Sequence, residues 1–140
     1  MAATKKLHIK HDYNFIVLGI SCHEKPYRLC WALNNQLQSA FSKDNDIELV
    51  EKGRREKTLF PVFSFHDESK ITSYKVIANK TNNKLLVTEY KQADYLLIIQ
   101  GEAAYIEKNS VIKKINEVGF IQTAFEIPVE KIKSKDLFIF

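Results

Sequence analysis

Two short runs of almost uninterrupted apolar residues constrain the fold of this chain most. They are FIVLGI at positions 15–20 and YLLII at positions 95–99. Runs of this length, rich in β-branched and aromatic residues, indicate strands buried on both faces, because a strand with one solvated face would alternate. Both are far shorter than the roughly 20 residues of a membrane-spanning helix. The two runs therefore predict buried, central strands.

An amphipathic helix is predicted after each run. In the first, Pro26 suits the opening turn, where a missing N–H is not needed, and Trp31 is expected in the core. The second is predicted at about 104–118, with Gly119 as the residue that ends it. The apolar stripe of the first helix recurs at steps of three and four residues: Tyr27, Cys30 or Trp31, Leu33 or Asn34, Leu37 and Phe41.

The chain between the helices alternates as an antiparallel sheet with one solvated face does. Its pattern predicts strands at 47–51, 59–68, 73–80 and 85–89, with turns at 43–46 and 81–84. Pro61 cannot donate a ladder hydrogen bond, so its strand is expected on an edge or at a bulge.

The C-terminal part predicts one more strand, a short helical turn opened by Pro128, and an apolar tail, DLFIF. The tail is expected to dock on this domain or on a partner, since exposed apolar ends are unfavourable. The strand, 120–127, is predicted to carry Ile121, Thr123, Phe125 and Ile127 on one face, with Gln122 and Glu126 on the other.

These elements predict an α+β fold: a mostly antiparallel sheet with two main helices on one face. The arrangement resembles a ferredoxin-like split βαβ unit carrying an extra hairpin. A length of 140 residues fits a single domain, 1–140, with a polar N-terminal arm at 1–12 and a C-terminal turn and tail at 129–140.

Charge and cysteine content give weak functional signals. The net charge is +4 and the pI about 9.0, which favours acidic partners such as RNA. The two halves are alike, with 11 Lys and Arg against 9 Asp and Glu in residues 1–70 and 10 against 8 in residues 71–140. The basic cluster KGRREK at 52–57 is expected to be a solvated loop. Cys22 and Cys30 are expected to be free thiols in a reducing cytoplasm.

The stretch Cys22-His23-Glu24 is the one candidate for reactive chemistry. A thiol at a helix start gains thiolate character, but adjacent residues of a strand point to opposite faces, and no orienting group or oxyanion donor is apparent. His8, His11 and His66 lack the spacing of metal ligands. No catalytic residue, metal or cofactor is therefore predicted, and a thiol-dependent enzyme using Cys22 is the least favoured alternative.

Three stretches resemble the IPExxxVDY family of small bacterial proteins: GISCHEKPYRLCWALN at 19–34, EYKQADYLLIIQG at 89–101, and AFEIPVEKIKSKDLFIF at 124–140. Val87-Thr88-Glu89 stands where that family has Ile-Pro-Glu, and Ala93-Asp94-Tyr95 where it has Val-Asp-Tyr, with the spacing between Glu89 and Asp94 kept. The resemblance implies a stand-alone cytoplasmic domain and brings no activity with it.

Function is expected to be non-catalytic binding or regulation, with a protein partner or a small molecule recognised at the start of the first helix. An RNA- or ribosome-associated protein is the alternative, a homo-oligomer is left open, and no membrane association is expected. Glu89 and Asp94 are expected to bond loop N–H groups, the alternative being an acidic rim near His23-Glu24. The candidate interaction residues are His23, Glu24, Tyr27, Arg28, Glu89, Asp94 and Tyr95.

Overall fold

The computed structural model describes residues 15–51, 53 and 55–138. The polar arm expected at 1–12 lies outside the described residues, as do His8, His11 and the last two residues of the tail. The elements in chain order are β1 (Phe15–Cys22), α1 (Pro26–Leu37), β2 (Ser42–Val50), β3 (Lys57–Asp67), β4 (Thr72–Ala78), β5 (Lys80–Thr81), β6 (Lys84–Leu85), β7 (Tyr95–Gly101), α2 (Ala104–Asn116), β8 (Ile121–Ile127) and two 3₁₀ turns (Val129–Lys131 and Lys135–Phe138).

Six of these strands form one sheet in the order β2-β3-β4-β7-β1-β8, and every neighbouring pair is antiparallel. The two predicted central strands, β1 and β7, are paired from Phe15 opposite Gln100 to Ile20 opposite Tyr95. The α2 helix connects β7 to β8, and β1 lies between those two strands. The α+β class and the mostly antiparallel sheet are confirmed, while the ferredoxin-like detail stays a prediction.

Both faces of the sheet are covered. One face packs against both helices, through Leu29 and Leu33 of α1 and Val111 and Ile115 of α2. The other face is covered by the connection between β4 and β7 and by the C-terminal turns. Its covering side chains are Leu86, Val87, Ala93, Ile132 and Phe138. Two covered faces explain why β1 and β7 are almost wholly apolar and do not alternate.

The C-terminal tail, as far as Phe138, docks on its own domain, one of the two expected outcomes. Phe138 is fully buried and meets the Phe15 ring edge to face, with 6.3 Å between the ring centres. Leu137 packs against the same cluster. The tail therefore completes the core of this face.

The turn predicted at 43–46 is wrong, because these residues belong to β2. The pairing of β2 with β3 passes from Asp44 opposite Val62 to Ile47 opposite Phe60, so two residues of β2 face Pro61 alone. This is a β-bulge, and it sits where Pro61 offers no N–H. The bulge expected at Pro61 is present, within a strand that has neighbours on both sides.

The expectation that Trp31 lies in the core is also wrong. Its side chain is 65% exposed and that of Tyr27 is 68% exposed. The stripe that packs runs through Leu29, Cys30 and Leu33, because a three- and four-residue spacing fits two neighbouring stripes of this helix. Phe41 is buried but follows the end of α1.

Two predicted element ends shift. The α2 helix ends at Asn116, and its C-cap is Glu117 in a right-handed conformation, so Gly119 does not end it. The strand predicted at 85–89 is reduced to Lys84–Leu85, which pairs with Lys80–Thr81. The turn between them has positive φ at both Asn82 and Asn83, 47° and 63°, as a two-residue hairpin requires.

The predicted face assignment in β8 fails because of a second irregularity. Cys22 opposes Ile121 and Ser21 opposes Thr123, so Gln122 has no partner on β1. This shift turns Ile121 toward the helices, whereas Phe125 and Ile127 pack on the other face.

Candidate functional site

Four of the seven candidate residues line one groove at the end of β1. They are His23, Glu24, Asp94 and Tyr95, and the open groove has a volume of about 430 Å³. We call it the β1–α1 groove. The rest of its lining is Cys22, Pro26, Pro61, Ala78, Lys80 and Thr81.

The turn between β1 and α1 has a local cause. Lys25, the N-cap residue of α1, is extended, with φ −68° and ψ 157°, as the residue before a proline prefers. Pro26 then opens the helix without needing to donate a hydrogen bond. His23 and Glu24 are thereby held in a three-residue turn at the rim of the groove, and His23 is exposed.

Asp94 fixes this turn from the opposite strand. Its Oδ2 accepts a hydrogen bond of 2.8 Å from the Cys22 N–H, and its own N–H donates to the Ile20 carbonyl at 2.9 Å. Its Oδ1 lies 2.9 Å from the Lys80 ammonium. Asp94 was expected to bond loop N–H groups, but its carboxylate bonds the N–H of Cys22, the last residue of β1, and it also lines the groove.

Tyr95 and Arg28 anchor Glu24 from two sides. The buried Tyr95 hydroxyl donates to the Glu24 carbonyl, and burial, followed by the nearby negative groups, raises the pKa of Tyr95. The Glu24 carboxylate lies 3.0 Å from Arg28 Nε, and the Arg28 guanidinium stacks over Phe120. Tyr27 points to solvent beside this pair and does not line the groove.

Cys22 is poorly suited to act as a nucleophile. Its side chain is buried. Burial raises the pKa of the Cys22 thiol, with Glu24 and Asp94 adding to the rise and the Glu24 backbone opposing it. A nucleophilic cysteine needs its thiolate at working pH, and this environment favours the thiol. Both cysteines are free, as expected, and burial raises the pKa of Cys30 to about 12.

Glu89 lies outside the groove, so the acidic rim suggested for Glu89 and Asp94 together is wrong. Its Oε2 accepts a hydrogen bond of 2.6 Å from the Lys133 N–H. Burial alone would raise the pKa of Glu89, but hydrogen bonds from Lys133, its own N–H and Thr88 outweigh it and lower the pKa. Glu89 therefore holds the C-terminal segment, in line with the backbone-bonding expectation.

Metal ligands do not cluster in residues 15–51, 53 and 55–138, where no group of three or more His, Cys, Asp or Glu is placed to hold an ion. His66 stands apart, with its Nδ1 2.9 Å from the Ser73 hydroxyl. Across the same residues, no helix combines the length and apolarity needed to cross a bilayer.

Four residues of the groove were not assigned to a site by the sequence reasoning: Pro61, Ala78, Lys80 and Thr81. Lys80 and Thr81 open the small hairpin that follows β4, and their approach to Asp94 depends on β4 lying beside β7. The order of strands in the sheet is the missing information, since nothing in the local pattern pairs Lys80 with Asp94.

The groove presents charges of both signs around a partly apolar floor. Lys80 and the exposed His23 supply donors, Glu24 and Asp94 supply carboxylates, and Pro26, Pro61 and Ala78 supply apolar surface. Such a lining suits binding of a polar molecule. No family model, curated protein or solved structure matches the chain, so the chemistry of the groove rests on its own residues.

Proposed function

We propose that the protein is a non-catalytic binding module that holds a small polar ligand in the β1–α1 groove. The observation that carries the proposal is the convergence of His23, Glu24, Asp94 and Tyr95 on one groove. Its volume of about 430 Å³ falls within the range of about 300–1,000 Å³ typical of small-molecule sites. A bacterial cytoplasmic setting and kinship with the IPExxxVDY family belong to the same proposal, supported by the quoted stretches alone.

The groove supports binding because its walls are fixed before any ligand arrives. The Cys22 N–H donates to Asp94 and the Tyr95 hydroxyl donates to the Glu24 carbonyl, which joins the start of β7 to the β1–α1 turn. The Ser21 hydroxyl donates to the Gln92 carbonyl at 2.6 Å. A preorganised site spends less free energy on ordering its side chains when it binds. The same bonds leave the His23 ring and part of the Glu24 carboxylate accessible.

The charges of the lining favour a zwitterion, such as a free amino acid or the end of a short peptide. Lys80 has three donors, one of which is directed at Asp94, so others can serve a ligand carboxylate together with His23. The Glu24 carboxylate, 39% exposed, can accept a ligand ammonium. Opposite charges on the ligand would then match opposite charges on the groove.

The test is a titration of the ¹⁵N-labelled protein with amino acids and dipeptides, followed by amide chemical shifts. We expect saturable shifts confined to residues 22–25, 78–81 and 94–95. His23→Ala and Lys80→Gln should weaken binding, whereas His66→Ala and Lys113→Gln, which change exposed residues elsewhere, should leave it unchanged. Absence of binding by any zwitterion, or binding that is indifferent to the two groove variants, would contradict the proposal.

RNA binding is the second candidate, favoured by the lysines of the β5–β6 hairpin. Lys80, Lys84 and Lys91 line a depression of about 410 Å³ that shares Lys80 and Thr81 with the groove. Two of these lysines are already paired, Lys80 with Asp94 and Lys84 with Glu51. Binding of single-stranded RNA should fall steeply with salt if phosphates are contacted, and Lys91→Gln should weaken it. No binding at low salt would remove this candidate.

A further inference from the structure

A second, smaller cavity lies at the other end of β4 from the groove. It is enclosed by the end of α1 and the segment that follows it, by β3 and β4, and by α2. Its volume is about 70 Å³, too small for a whole drug-sized ligand but large enough for a head group. The argument depends on Phe41, Phe65, Asp67, Lys70, Tyr74 and Glu107, all of which line it.

Three aromatic rings form one wall of this cavity. Phe65 and Tyr74 are stacked, with ring centres 5.8 Å apart and an interplanar angle of 24°. Phe41 lies across them, its ring centre 6.0 Å from Phe65 and 6.5 Å from Tyr74. Aromatic faces carry partial negative charge and attract organic cations.

The hydroxyl of Tyr74 opens into this cavity. Tyr74 is only 7% exposed, yet its hydroxyl takes part in no hydrogen bond with the described residues. Every fully enclosed side-chain nitrogen or oxygen in that part of the chain has a partner, so the Tyr74 oxygen is open to the cavity it lines. A ligand in the cavity can therefore bond this hydroxyl without breaking a hydrogen bond to any described residue.

The mouth of the cavity carries charges of both signs, from Asp67 and Glu107 and from Lys70 and Lys114. Glu107 Oε1 lies 3.1 Å from the Lys70 ammonium. The Asp67 carboxylate accepts from the Ser69 hydroxyl at 2.7 Å and from two backbone N–H groups. Burial raises the pKa of Tyr74, with Lys70 opposing and Glu107 and Asp67 adding to the rise; the phenol therefore stays protonated and its oxygen feels these mouth charges.

We propose that this cavity binds the head group of a small organic ammonium compound. The three rings contact the cation as part of the cavity wall, the carboxylates of Asp67 and Glu107 attract it, and the Tyr74 hydroxyl bonds a polar group of the ligand. When the cavity is empty, the Lys70 ammonium pairs with the Glu107 carboxylate. Lys70 therefore competes with the ammonium group of the ligand. The proposal concerns a site separate from the β1–α1 groove and does not depend on it.

The probe is choline, and its neutral isostere 3,3-dimethyl-1-butanol is the matched control ligand. Titrations followed by amide shifts should show choline binding at residues 65–74 and 107–114, about fivefold or more tighter than the isostere, the ratio that a cation–aromatic contact provides. Lys70→Gln should tighten choline binding because the competitor is gone. Asp67→Asn should weaken it, and Glu68→Gln, at an exposed neighbour, should not.

Tyr74→Phe separates binding from folding. It keeps the ring and removes only a hydroxyl that bonds no described residue, so the thermal stability of the free protein should be unchanged while choline binds more weakly. Equal affinity for choline and the isostere, no binding of choline, or choline affinity unaffected by Tyr74→Phe would overturn the proposal.

Discussion

Three asparagines organise the chain at the scale of single residues, and all use the same geometry. Asn34, Asn79 and Asn116 each accept a hydrogen bond from the backbone N–H of a residue seven or eight positions later. Each also donates to the carbonyl of that same residue. The side-chain amide thus pairs with one residue as a neighbouring strand would. The three partners are Phe41, Val87 and Ala124.

Asn79 is the most consequential of the three because it is fully buried. Its amide nitrogen also faces the carbonyls of Tyr90 and Ala93, so one side chain holds the connection between β4 and β7 onto the sheet. This connection carries Asp94 to the groove. The geometry of the groove therefore depends on an asparagine that does not line it.

Asn79→Ala should lower the free energy of unfolding by about 3 kcal/mol, since it leaves a buried N–H and several carbonyls without partners. Asn35→Ala, at an exposed position of α1, should change it by no more than about 0.5 kcal/mol. Urea denaturation of both variants measures the difference. Equal stability of the two would mean that the connection is held by its apolar contacts alone.

Single residues were predictable where their own chemistry dictates a local role. Glu89 follows that rule, since a carboxylate beside a loop bonds loop N–H groups and Glu89 bonds that of Lys133. Asp94 bonds the N–H of Cys22 at the end of β1 instead. Trp31 is an exception to the rule that large apolar residues are buried, because a neighbouring apolar stripe of the same helix packs against the sheet. An exposed tryptophan cannot be distinguished from a buried one without knowing which stripe the sheet covers.

At the scale of elements, apolar runs located β1 and β7 well, and alternation located β3 and β4 to within about two residues. Local irregularities changed β2 and β8. The bulge opposite Pro61 converted a predicted turn into a strand, and the unpaired Gln122 divided β8 between two faces. Both depend on the neighbouring strand, whose identity the pattern does not reveal. Asn116 closes part of the outer edge of β8 by pairing with Ala124, which limits pairing with other chains.

Gly19 shows how closely two elements approach. A Cβ built on Gly19, in the middle of β1, would lie 2.7 Å and 2.8 Å from ring atoms of Phe125 on β8. Gly19→Ala should therefore lower the free energy of unfolding by about 1–3 kcal/mol through overpacking.

Gly119→Ala is the matched control for that change. Nothing lies within 4 Å of a Cβ at Gly119, and its φ is not in the left-handed region, so alanine there should be neutral or stabilise by less than about 1 kcal/mol. Thermal denaturation of the two variants gives the comparison. If Gly19→Ala were as stable as the wild type, the Phe125 ring would have to move readily.

At the scale of the whole molecule, the groove brings together four separate parts of the chain: 22–26, 61, 78–81 and 94–95. The sequence indicated the first and the last of these through unusual residues beside buried strands. That Asp94 lies near His23 and Glu24 was only the less favoured alternative, because their proximity depends on the antiparallel pairing of β1 with β7. Glu89 lies apart from these four parts of the groove, next to the C-terminal segment.

Phe138 tests whether the C-terminal segment belongs to the fold. Because its ring is fully buried against Phe15, Phe138→Ala should lower the free energy of unfolding by about 3–5 kcal/mol. Ile106→Ala, at a side chain 81% exposed, should cost far less. A small effect at Phe138 in urea denaturation would show that the tail docks only weakly.

Alkaline pH should destabilise the whole molecule, because four buried groups have raised pKa values in the folded state: Cys22, Cys30, Tyr74 and Tyr95. For Cys30 the ordinary value is 9.0 and the folded value about 12. Between these values the unfolded chain has lost the thiol proton and the folded chain keeps it. The unfolded state then binds fewer protons, so the free energy of unfolding falls as pH rises.

The expected loss begins near pH 9.0, and Cys30 alone contributes up to about 1.4 kcal/mol per pH unit above it. Urea denaturation on either side of that pH measures the slope, and Cys30→Ala should make it shallower even though the variant starts from a lower stability. A wild-type slope that Cys30→Ala leaves unchanged would contradict the assignment of a raised pKa to this thiol. Such a result would also weaken the case against a thiolate at Cys22, since burial raises both pKa values.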